Sequence, residues 1–527
     1  MSLMTTKARL TGLAVLAAST MLSGVAFAET VITGVMHSGL RVLDPVITTA
    51  HITRDHAYMI YDTFLAQDSK FQPRPQMADW KISDDKQTYT FTLRDGLKFH
   101  DGAPVTAEDV IASLQRWSKK DGGGQLIMDR TASLTASDAK TIVWKLKEPF
   151  PPMLATLSKQ SSLPTFIMPK RVAESTVDKS ITDYVGSGPF KFIEAEFKPG
   201  VSVTYAKNPD YKPRSEPADN MAGGKVVKVD KVKWVVMPDV MTAVNALTSG
   251  EIDYIEQIQL DMLPILKADP HVKVETRDDL GYQTIARFNW KWPPFDNKKA
   301  RQAALKAISQ GPILQAMIGN PDYYKVCGAV LGCGSLYGSE AGAQSLVKGD
   351  GMAEAKKLLK ESGYDGTPIV LMQPTDVVAL STQPVVVAQQ LREAGFKVDM
   401  QPMDWQTLVT RRATQKKPSD GGWNMFVTNW IVPEIDTPLI NVMLSGRGDQ
   451  AWFGWPTDAG VEKLKLDFIA ATDDAARKAV GEKVQAHNLE EVLLVQLGQY
   501  LAPQARRDTI VNMLNAPVPV FWNVEKK

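Results

Sequence analysis

Between residues 88 and 117 the chain alternates apolar and polar positions in a way that predicts a strand, two turns and a helix. Tyr89, Phe91 and Leu93 alternate with threonines, which is the period of a strand with one buried face. Two Asp-Gly turns follow, and Thr106 with Asp109 three residues later predicts a capping box that opens a helix. The apolar positions of that helix are Val110, Ile111, Leu114 and Trp117. His100, between the two turns, has no partner at catalytic spacing and is interpreted as structural.

From about residue 285 the pattern changes to repeated helix and strand units. A helix ended by Gly363 precedes the buried strand PIVLM, a second helix ends at Gly395, and Asp404 caps a third. Strands that alternate with helices of this length favour mostly parallel pairing and an α/β domain. In the preceding half, strands mix with short helices, and the Pro-, Gly- and charge-rich segment 213–225 predicts an exposed loop.

The first 28 residues have the pattern of a secretory signal peptide. Lys7 and Arg9 precede an apolar run, and Ala26-Phe27-Ala28 is an A-x-A cleavage site. We therefore expect a cleaved leader and a periplasmic protein. Its removal takes away two basic residues, so the formal charge falls from +1 to about −1, and neither nucleic acid nor an anionic membrane is an expected partner.

The remaining composition is that of a large globular protein. The chain has 527 residues, 44% of them apolar and 23% charged, which is too long for one hydrophobic core and predicts two or three domains. Cys327 and Cys333 are the two cysteines, and an oxidising compartment favours a local disulfide between them. A redox pair or half of a metal site are the alternatives, but five intervening residues match neither C-x-x-C nor a zinc knuckle.

Six ordered segments carry a resemblance to a known family. The chain resembles the extracytoplasmic solute-binding proteins of family 5, which serve dipeptide, oligopeptide and nickel ABC importers, and the likeness covers nearly the whole mature chain. The segments are FTLRDGLKFHDGAPVTAEDVIASLQRW, VGSGPFKF, KNPDYKPR, AVNALTSGEIDYI, PPFDNKKARQAALKAI and REAGFKVDMQPMDW.

The resemblance implies an α/β fold of the type II periplasmic-binding-protein kind, with two lobes, a cleft and a hinge. It places lobe I at 29–283, with an inserted subdomain at about 70–200, lobe II at 284–499, and a return to lobe I at 500–527. Hinge strands are expected near Tyr282 to Phe288 and near Gln499 to Pro503. Residues 88–117 then belong to the structural framework of the first lobe and do not contact the ligand. The ligand is trapped when the two lobes close.

The resemblance also indicates where a ligand is held. In peptide-binding members a segment just after the early Leu-x-Pro motif touches the ligand, and LDPVITTAHITRDH occupies that place here. Thr49, His51 and Thr53 are the matching positions. His51 departs from the pattern, since a titratable ring stands where a small residue is common, and a surface histidine is the alternative.

A second ligand-binding element is a tryptophan followed three residues later by an aspartate that anchors a peptide ammonium. Trp430 matches in MFVTNWIVPEIDTP, but Pro433 stands at the anchor position. Either Glu434 or Asp436 replaces the anchor through a shifted loop, or the ligand has no free amino terminus.

Aromatic and basic residues complete the candidate site. Tyr282 and Trp405 are candidate cleft walls, as is Trp423, although aromatics at such spacings are more often core residues. Arg411 and Arg412 are able to pair with a ligand carboxylate, although exposed helix-end arginines are commoner.

The sequence therefore predicts a binding protein without catalysis that delivers a peptide or peptide-like solute to an ABC permease complex in the inner membrane. The alternatives are a non-peptide organic solute, such as an opine, an oligosaccharide or an aromatic acid, or a nickel-chelator complex. No cofactor and no direct metal site are expected, because His37, His51 and His56 do not share a helical face. The motifs G-x-S-x-G, H-E-x-x-H and Walker A do not occur in the sequence, which disfavours a hydrolase. A monomer is expected, because the protein must dock singly on a transporter.

Overall fold

The structure, a computed structural model, describes residues 29–527. The predicted signal peptide lies outside the described residues. None of the helices within residues 29–527 combines the length and apolar character that crossing a bilayer requires.

The strands and helices follow each other along the chain in mixed order. The strands before residue 280 are β1 (Val31–Val35), β2 (Leu65–Gln67), β3 (Pro73–Pro75), β4 (Ala78–Ile82), β5 (Thr88–Leu93), β6 (Thr131–Ala136), β7 (Thr141–Leu146), β8 (Phe190–Phe192), β9 (Ser202–Lys207), β10 (Lys231–Val235), β11 (Tyr254–Ile255) and β12 (Val272–Thr276). The later strands are β13 (Tyr282–Phe288), β14 (Tyr324–Lys325), β15 (Ile369–Pro374), β16 (Val398–Met403), β17 (Met425–Ile431), β18 (Leu494–Tyr500), β19 (Pro503–Arg507), β20 (Ile510–Val511) and β21 (Glu525–Lys526).

The α-helices are distributed over both halves of the chain. Those before residue 280 are α1 (His51–Ile60), α2 (Ala107–Ser118), α3 (Gly122–Arg130), α4 (Met153–Ser158), α5 (Lys170–Ala173), α6 (Val240–Ser249) and α7 (Leu263–Ala268). The later ones are α8 (Lys298–Ala307), α9 (Gln310–Ile318), α10 (Gln344–Lys348), α11 (Met352–Glu361), α12 (Val378–Ser381), α13 (Gln383–Ala394), α14 (Trp405–Arg411), α15 (Ala459–Ala470) and α16 (Asp474–Glu491).

Two large sheets divide the chain into two lobes. A seven-stranded sheet has the order β12-β19-β11-β1-β10-β9-β8, and a six-stranded sheet has the order β14-β18-β13-β17-β15-β16. We call the segments 29–276 and 503–527, which contain the first sheet, the first lobe, and the segment 282–500 the second lobe. A four-stranded sheet, β4-β5-β7-β6, belongs to the first lobe and has its own layer of helices.

The chain crosses between the two sheets twice, between β12 and β13 and between β18 and β19. β13 and β18 are neighbours in the second sheet, with Tyr282 opposite Tyr500. Both crossings therefore leave the second lobe from the same end of adjacent strands.

The local predictions around residues 88–117 are confirmed. β5 buries Tyr89, Phe91 and Leu93, and the Thr106 side chain accepts from the Asp109 amide while the Asp109 carboxylate accepts from the Thr106 amide. The His100 ring lies against the backbone, with Nδ1 accepting from the Gly186 amide and Nε2 facing the Gly188 carbonyl, both at 3.2 Å. These contacts give His100 the structural role that was predicted.

The prediction of mostly parallel pairing in the second half is wrong in part. In the second sheet, β15 pairs in parallel with β16 and β17, but β13 pairs antiparallel with both β17 and β18. The reason is that β13 and β18 run to and from the first lobe and do not belong to helix-strand repeat units.

The prediction of an exposed loop at 213–225 is also wrong in part, because residues 220–225 are buried. Lys225 Nζ lies 2.7 Å from Asp62 Oδ1, and both side chains are fully shielded from solvent. The composition of this segment correctly indicated an irregular backbone. Its burial depends on the ion pair with Asp62, which lies far away in the chain.

Candidate functional site

Two adjoining cavities lie between the lobes. The wider one has a volume of about 530 Å³ and is walled by residues 46–49 and 119–120 of the first lobe and residues 449–455 of the second. The narrow one, of about 20 Å³, is lined by residues of both lobes, including His51, Trp430 and Arg412. Thr49 lines both, so the two cavities form one interlobe site.

The start of α1 brings two of the three early candidates to this site. Thr49 Oγ1 accepts a hydrogen bond from Trp452 Nε1 of the other lobe at 3.2 Å. His51 lines the narrow cavity. Thr53 is fully buried and its hydroxyl donates to the Val42 carbonyl at 2.8 Å, so it stabilises the turn before α1 and lines neither cavity.

Glu434 is already bound on all sides by protein groups. Its Oε1 accepts from Arg54 Nη1 at 3.0 Å and from the Ser162 amide at 3.2 Å. Its Oε2 accepts from the Ile431 amide at 2.9 Å and lies 3.1 Å from His51 Nε2. A carboxylate has about four acceptor positions, so Glu434 has none left for a ligand ammonium.

Burial and the neighbouring charged groups determine whether Glu434 and His51 are ionised. Burial would raise the pKa of Glu434, but the nearby His51 and Arg54 outweigh it and hold that pKa below its usual value. Burial lowers the pKa of His51, and Glu434 opposes this only in part. The pair is therefore an ionised carboxylate and a neutral imidazole that donates from Nε2.

Asp436 lies on a different cavity from the interlobe site. That cavity, of about 370 Å³, is lined by Asp436 with Phe71, Pro151 and Tyr337 among others. Burial raises the pKa of Asp436 to about 7. Neither Glu434 nor Asp436 is among the residues that line the wide and narrow cavities.

Of the predicted aromatic residues, two line the narrow cavity and two do not. Trp405 and Trp430 line the narrow cavity, with 5% and 2% of their surfaces exposed. Tyr282 lies behind it, its ring stacked on Tyr500 at 5.4 Å and its hydroxyl 3.2 Å from Arg277 Nη2. Trp423 is a core residue whose Nε1 donates to the Arg412 carbonyl.

The two neighbouring arginines have different surroundings. Arg411 donates to the Gly421 and Gly422 carbonyls at 3.0 and 2.7 Å. Arg412 is not the exposed helix-end residue that is commoner at such a position, because only 1% of it is exposed and it lines the narrow cavity. Burial lowers the pKa of Arg412 to about 9, so its guanidinium is charged at neutral pH.

Sequence reasoning missed the aromatic loop of the second lobe. Trp452, Phe453 and Trp455 wall the wide cavity. The run AWFGW at 451–455 was the available indication, because three aromatics in five residues fit neither the helix nor the strand period.

Of the three early histidines, His37 and His51 both line the narrow cavity, with 6.3 Å between their ring centroids, and His56 lies apart from them. His37 Nδ1 lies 2.7 Å from Glu256 Oε2, whereas His56 Nδ1 lies 2.8 Å from the Tyr205 hydroxyl in the first-lobe core. Donor atoms of His37, Asp55 and Glu256 lie within 4.8 Å of one another. Arg54 and Arg277 already form ion pairs with the two carboxylates of that cluster, which disfavours a cation there.

Cys327 and Cys333 are joined by a disulfide, with 5.9 Å between their Cα atoms. The Cys333 amide donates to Gln499 Oε1 at 2.7 Å, and Gln499 lies on β18 close to the second crossing. The disulfide loop is thus attached to one of the two strands that lead to the first lobe.

Comparison with known proteins gives three kinds of match. The family model described as bacterial extracellular solute-binding proteins, family 5, middle region, matches residues 72–452. The "probable peptide ABC transporter periplasmic-binding protein y4tO" of Sinorhizobium fredii is 39% identical over 490 residues, which cover 92% of each chain. The "probable D,D-dipeptide-binding periplasmic protein DdpA" of Escherichia coli K12 is 24% identical, covering 80% of this chain and 78% of that one.

Solved structures show the same fold. The ABC transporter-associated periplasmic binding protein DppA of Helicobacter pylori, in complex with the peptide STSA, has a TM-score of 0.78 at 20% identity, with 94% of this chain and 98% of that chain covered. The periplasmic binding protein AgaA of A. tumefacien R10, in complex with agropinic acid, has a TM-score of 0.76 at 22% identity, with 94% and 99% covered. These matches bear out the predicted α/β, two-lobed periplasmic-binding-protein fold.

Proposed function

The chain belongs to the bacterial extracellular solute-binding proteins of family 5, and we propose that it captures a peptide or peptide-like solute between its lobes for an ABC importer. The observation that carries this proposal is the site of about 530 Å³ enclosed by residues of both lobes. Cavities of this size between domains are the usual place for a small ligand. The relative from S. fredii, matched over 92% of both chains, is itself described as a probable peptide ABC transporter periplasmic-binding protein.

Capture depends on the contacts that hold the lobes together. Thr49 bonds Trp452 across the site, and Arg41 Nη1 lies 2.8 Å from Asp404 Oδ1 at its edge. A ligand that touches both walls adds to these contacts and so shifts the population toward the closed form. The proposed hinge is formed by the two crossings, at 277–281 and 501–502, which adjoin the strands predicted for it near Tyr282 to Phe288 and Gln499 to Pro503.

The family to which the chain belongs indicates the proposed location and partner of the protein. Removal of the predicted leader at residues 1–28 would release a monomer into the periplasm, where its closed form docks on the permease complex of the inner membrane. The protein needs no catalysis for this role. The proposed ligand-contacting residues are Thr49, His51, Trp405 and Trp430, with Tyr282 supporting the wall from behind.

A second candidate is an organic acid without a free ammonium group, such as an opine or an N-blocked peptide. Its support is that Pro433 replaces the family's ammonium anchor and that the acceptor positions of Glu434 are filled by Arg54, His51 and two backbone amides. The oligosaccharide and nickel-chelator alternatives have no comparable support from the residues that line the site.

A thermal-shift screen of the mature protein, unfolded and refolded to remove carried-over solute, tests the proposal. The panel contains di- to pentapeptides, N-acetylated copies, opines, sugars and nickel complexes. A solute at a hundredfold excess over its Kd stabilises the folded state by about 2.7 kcal/mol, so a true ligand raises the Tm measurably. Failure of every solute to raise the Tm would overturn the proposal, and turnover of a peptide would assign the protein to a different class.

A further inference from the structure

A cavity of about 370 Å³ is separate from the interlobe site, although residues of both lobes wall it as well. The first lobe contributes residues around Phe71 and Pro151, and the second lobe contributes residues around Asp436 and Phe468. None of its lining residues lines the wide or the narrow cavity. We call it the Asp436 cavity. Its volume lies within the range of about 300 to 1,000 Å³ that small ligands occupy.

The Asp436 carboxylate has no hydrogen-bond or charge partner from another residue of the described chain. Burial raises its pKa to about 7, and only its own backbone amide opposes that rise. The other charged side chain of the cavity is Arg477, whose Nη1 donates to Asp474 Oδ1 at 3.2 Å. Glu434, two residues before Asp436, differs because Arg54 and the Ser162 amide already donate to it. A carboxylate that is withdrawn from water without a donor costs free energy until a cation or a donor reaches it.

The rest of the wall of the Asp436 cavity is largely apolar. The rings of Tyr337 and Phe468 meet edge to face, with 5.1 Å between their centroids. Other apolar side chains come from both lobes, among them Phe71, Leu439 and Ile440. Aromatic faces attract cations as well as apolar groups. One uncompensated carboxylate within such a wall therefore matches a ligand that carries a single positive charge on an apolar body.

We propose that the Asp436 cavity is a second ligand site, which binds a small organic amine with an apolar body in addition to the captured solute. The ammonium group donates to the Asp436 carboxylate, and the apolar body packs between Phe71 of the first lobe and Phe468 of the second. The amine is a separate molecule from the solute, because the Asp436 cavity shares no lining residue with the interlobe site. Since both lobes wall the cavity, a bound amine favours the closed form.

Calorimetric titration of the wild-type protein, unfolded and refolded to remove carried-over solute, tests the inference at pH 8, where Asp436 is ionised. The amines are benzylamine, phenethylamine and tryptamine, and their neutral counterparts of similar shape are benzyl alcohol, 2-phenylethanol and tryptophol. We expect the amines to bind and the alcohols to bind at least about tenfold more weakly, because the alcohols form no charge-assisted hydrogen bond. Equal affinities for the two sets, or binding by none of the amines, would overturn the inference.

Three variants locate the amine. Asp436→Asn keeps the size of the side chain without its charge and should weaken the amines at least about tenfold while leaving the alcohols unchanged. Ala155→Trp, at an exposed position of the first-lobe wall, fills the cavity without altering its charge and should weaken both sets. Asp420→Asn, at an exposed aspartate of the second lobe outside the cavity, is the control and should bind the amines as the wild type does. Wild-type amine affinity in Asp436→Asn, or in Ala155→Trp if Asp436→Asn does not fold, would overturn the inference.

Competition with peptides separates this inference from the proposed function. Peptides that raise the Tm in the screen should leave phenethylamine bound, and each ligand should strengthen binding of the other by the same factor. Displacement of phenethylamine by such a peptide would overturn the second site. Failure of all peptides in the screen bears on the proposed function alone, because amine binding is measured on the solute-free protein.

Discussion

Arg54 Nη1 of the first lobe and Glu434 Oε1 of the second lie 3.0 Å apart, although 380 residues separate them in the chain. His51 and the Ser162 amide, also from the first lobe, reach the same carboxylate. Glu434 therefore joins the lobes in the closed arrangement, and the ion pair forms only when they meet.

Replacing Glu434 by Gln should weaken solute binding about 10- to 100-fold, because removing one member of a buried charge pair leaves the closed form less stable. Small-angle scattering should also show a larger radius of gyration at subsaturating solute. Glu361→Gln, at a solvent-exposed pair with Lys299, is the control and should behave as the wild type. A variant with wild-type affinity and scattering would remove Glu434 from the closure contacts.

Trp430 both lines the narrow cavity and packs in a hydrophobic core. Trp430→Ala should therefore cost about 3–5 kcal/mol of unfolding free energy, as truncation of a buried aromatic residue does, and is too severe to report on binding alone. Trp430→Phe keeps an aromatic ring in the wall and should lower solute affinity about tenfold with a smaller loss of stability. Trp522→Phe changes an equally buried tryptophan away from the site and should leave the Kd unchanged. Equal Kd values for the two variants would argue against contact between Trp430 and the solute.

His56 and His100 should each make the protein less stable at pH 5 than at pH 7. Burial lowers the pKa of His56 to about 3 and that of His100 to about 4, so the unfolded chain binds more protons in this range. Each of these histidines makes its full contribution to the free energy of unfolding above its pKa in the unfolded chain, which is near 6.5. By pH 5 that contribution has fallen by about 2 kcal/mol. His37, His487 and Asp436, whose pKa values are raised in the folded protein, act in the opposite direction and offset part of the loss.

Urea denaturation at several pH values checks this dependence. His100→Gln keeps an acceptor for the Gly186 amide and a donor for the Gly188 carbonyl without titrating in this range. Between pH 7 and pH 5 the free energy of unfolding of His100→Gln should fall by about 2 kcal/mol less than that of the wild type. His271→Gln, at a side chain that is 63% exposed, should keep the wild-type profile. Parallel profiles for all three proteins would contradict the prediction.

Loss of the disulfide should destabilise the protein without changing what it binds. The Cys327–Cys333 loop has a sequence separation of 6, and closing so short a loop stabilises the fold by about 2 kcal/mol. The double variant Cys327→Ser, Cys333→Ser should unfold at a lower urea concentration and bind solute with the wild-type Kd. Two reactive thiols in protein isolated from the periplasm would contradict the disulfide itself.

The buried pair of Lys225 and Asp62 should be among the most sensitive positions outside the site. Lys225→Met leaves Asp62 without its closest cation and should lower the free energy of unfolding by about 3–5 kcal/mol. Lys228→Met removes a lysine from an exposed pair with Glu525 and should cost less than about 1 kcal/mol. Similar denaturation midpoints for the two variants would show that burial of Lys225 carries no special cost.

Features set by neighbouring residues were predictable from the sequence, and features set by distant partners were not. The capping box of Thr106 and Asp109, the helix end at Gly395 and the strand period of β5 depend on residues within a few positions. The burial of Lys225 depends on Asp62, and the role of Glu434 depends on Arg54, each on another part of the chain. Trp430 was found through the family pattern and Trp405 as a candidate aromatic wall. The contacts of Arg412 with the rings of Trp452 and Phe453 could be seen only in the three-dimensional structure.

The place of β19 in the first sheet has a consequence for biogenesis. β19 pairs antiparallel with both β11 and β12, so it fills the gap between two strands that precede it by more than two hundred residues. The first lobe begins the described chain, yet its sheet stays incomplete until residues 503–507 have been synthesised and are free to pair. The lobe that is made first is therefore the one whose sheet closes last, and a chain cut short before Pro503 would carry two open strand edges that invite aggregation.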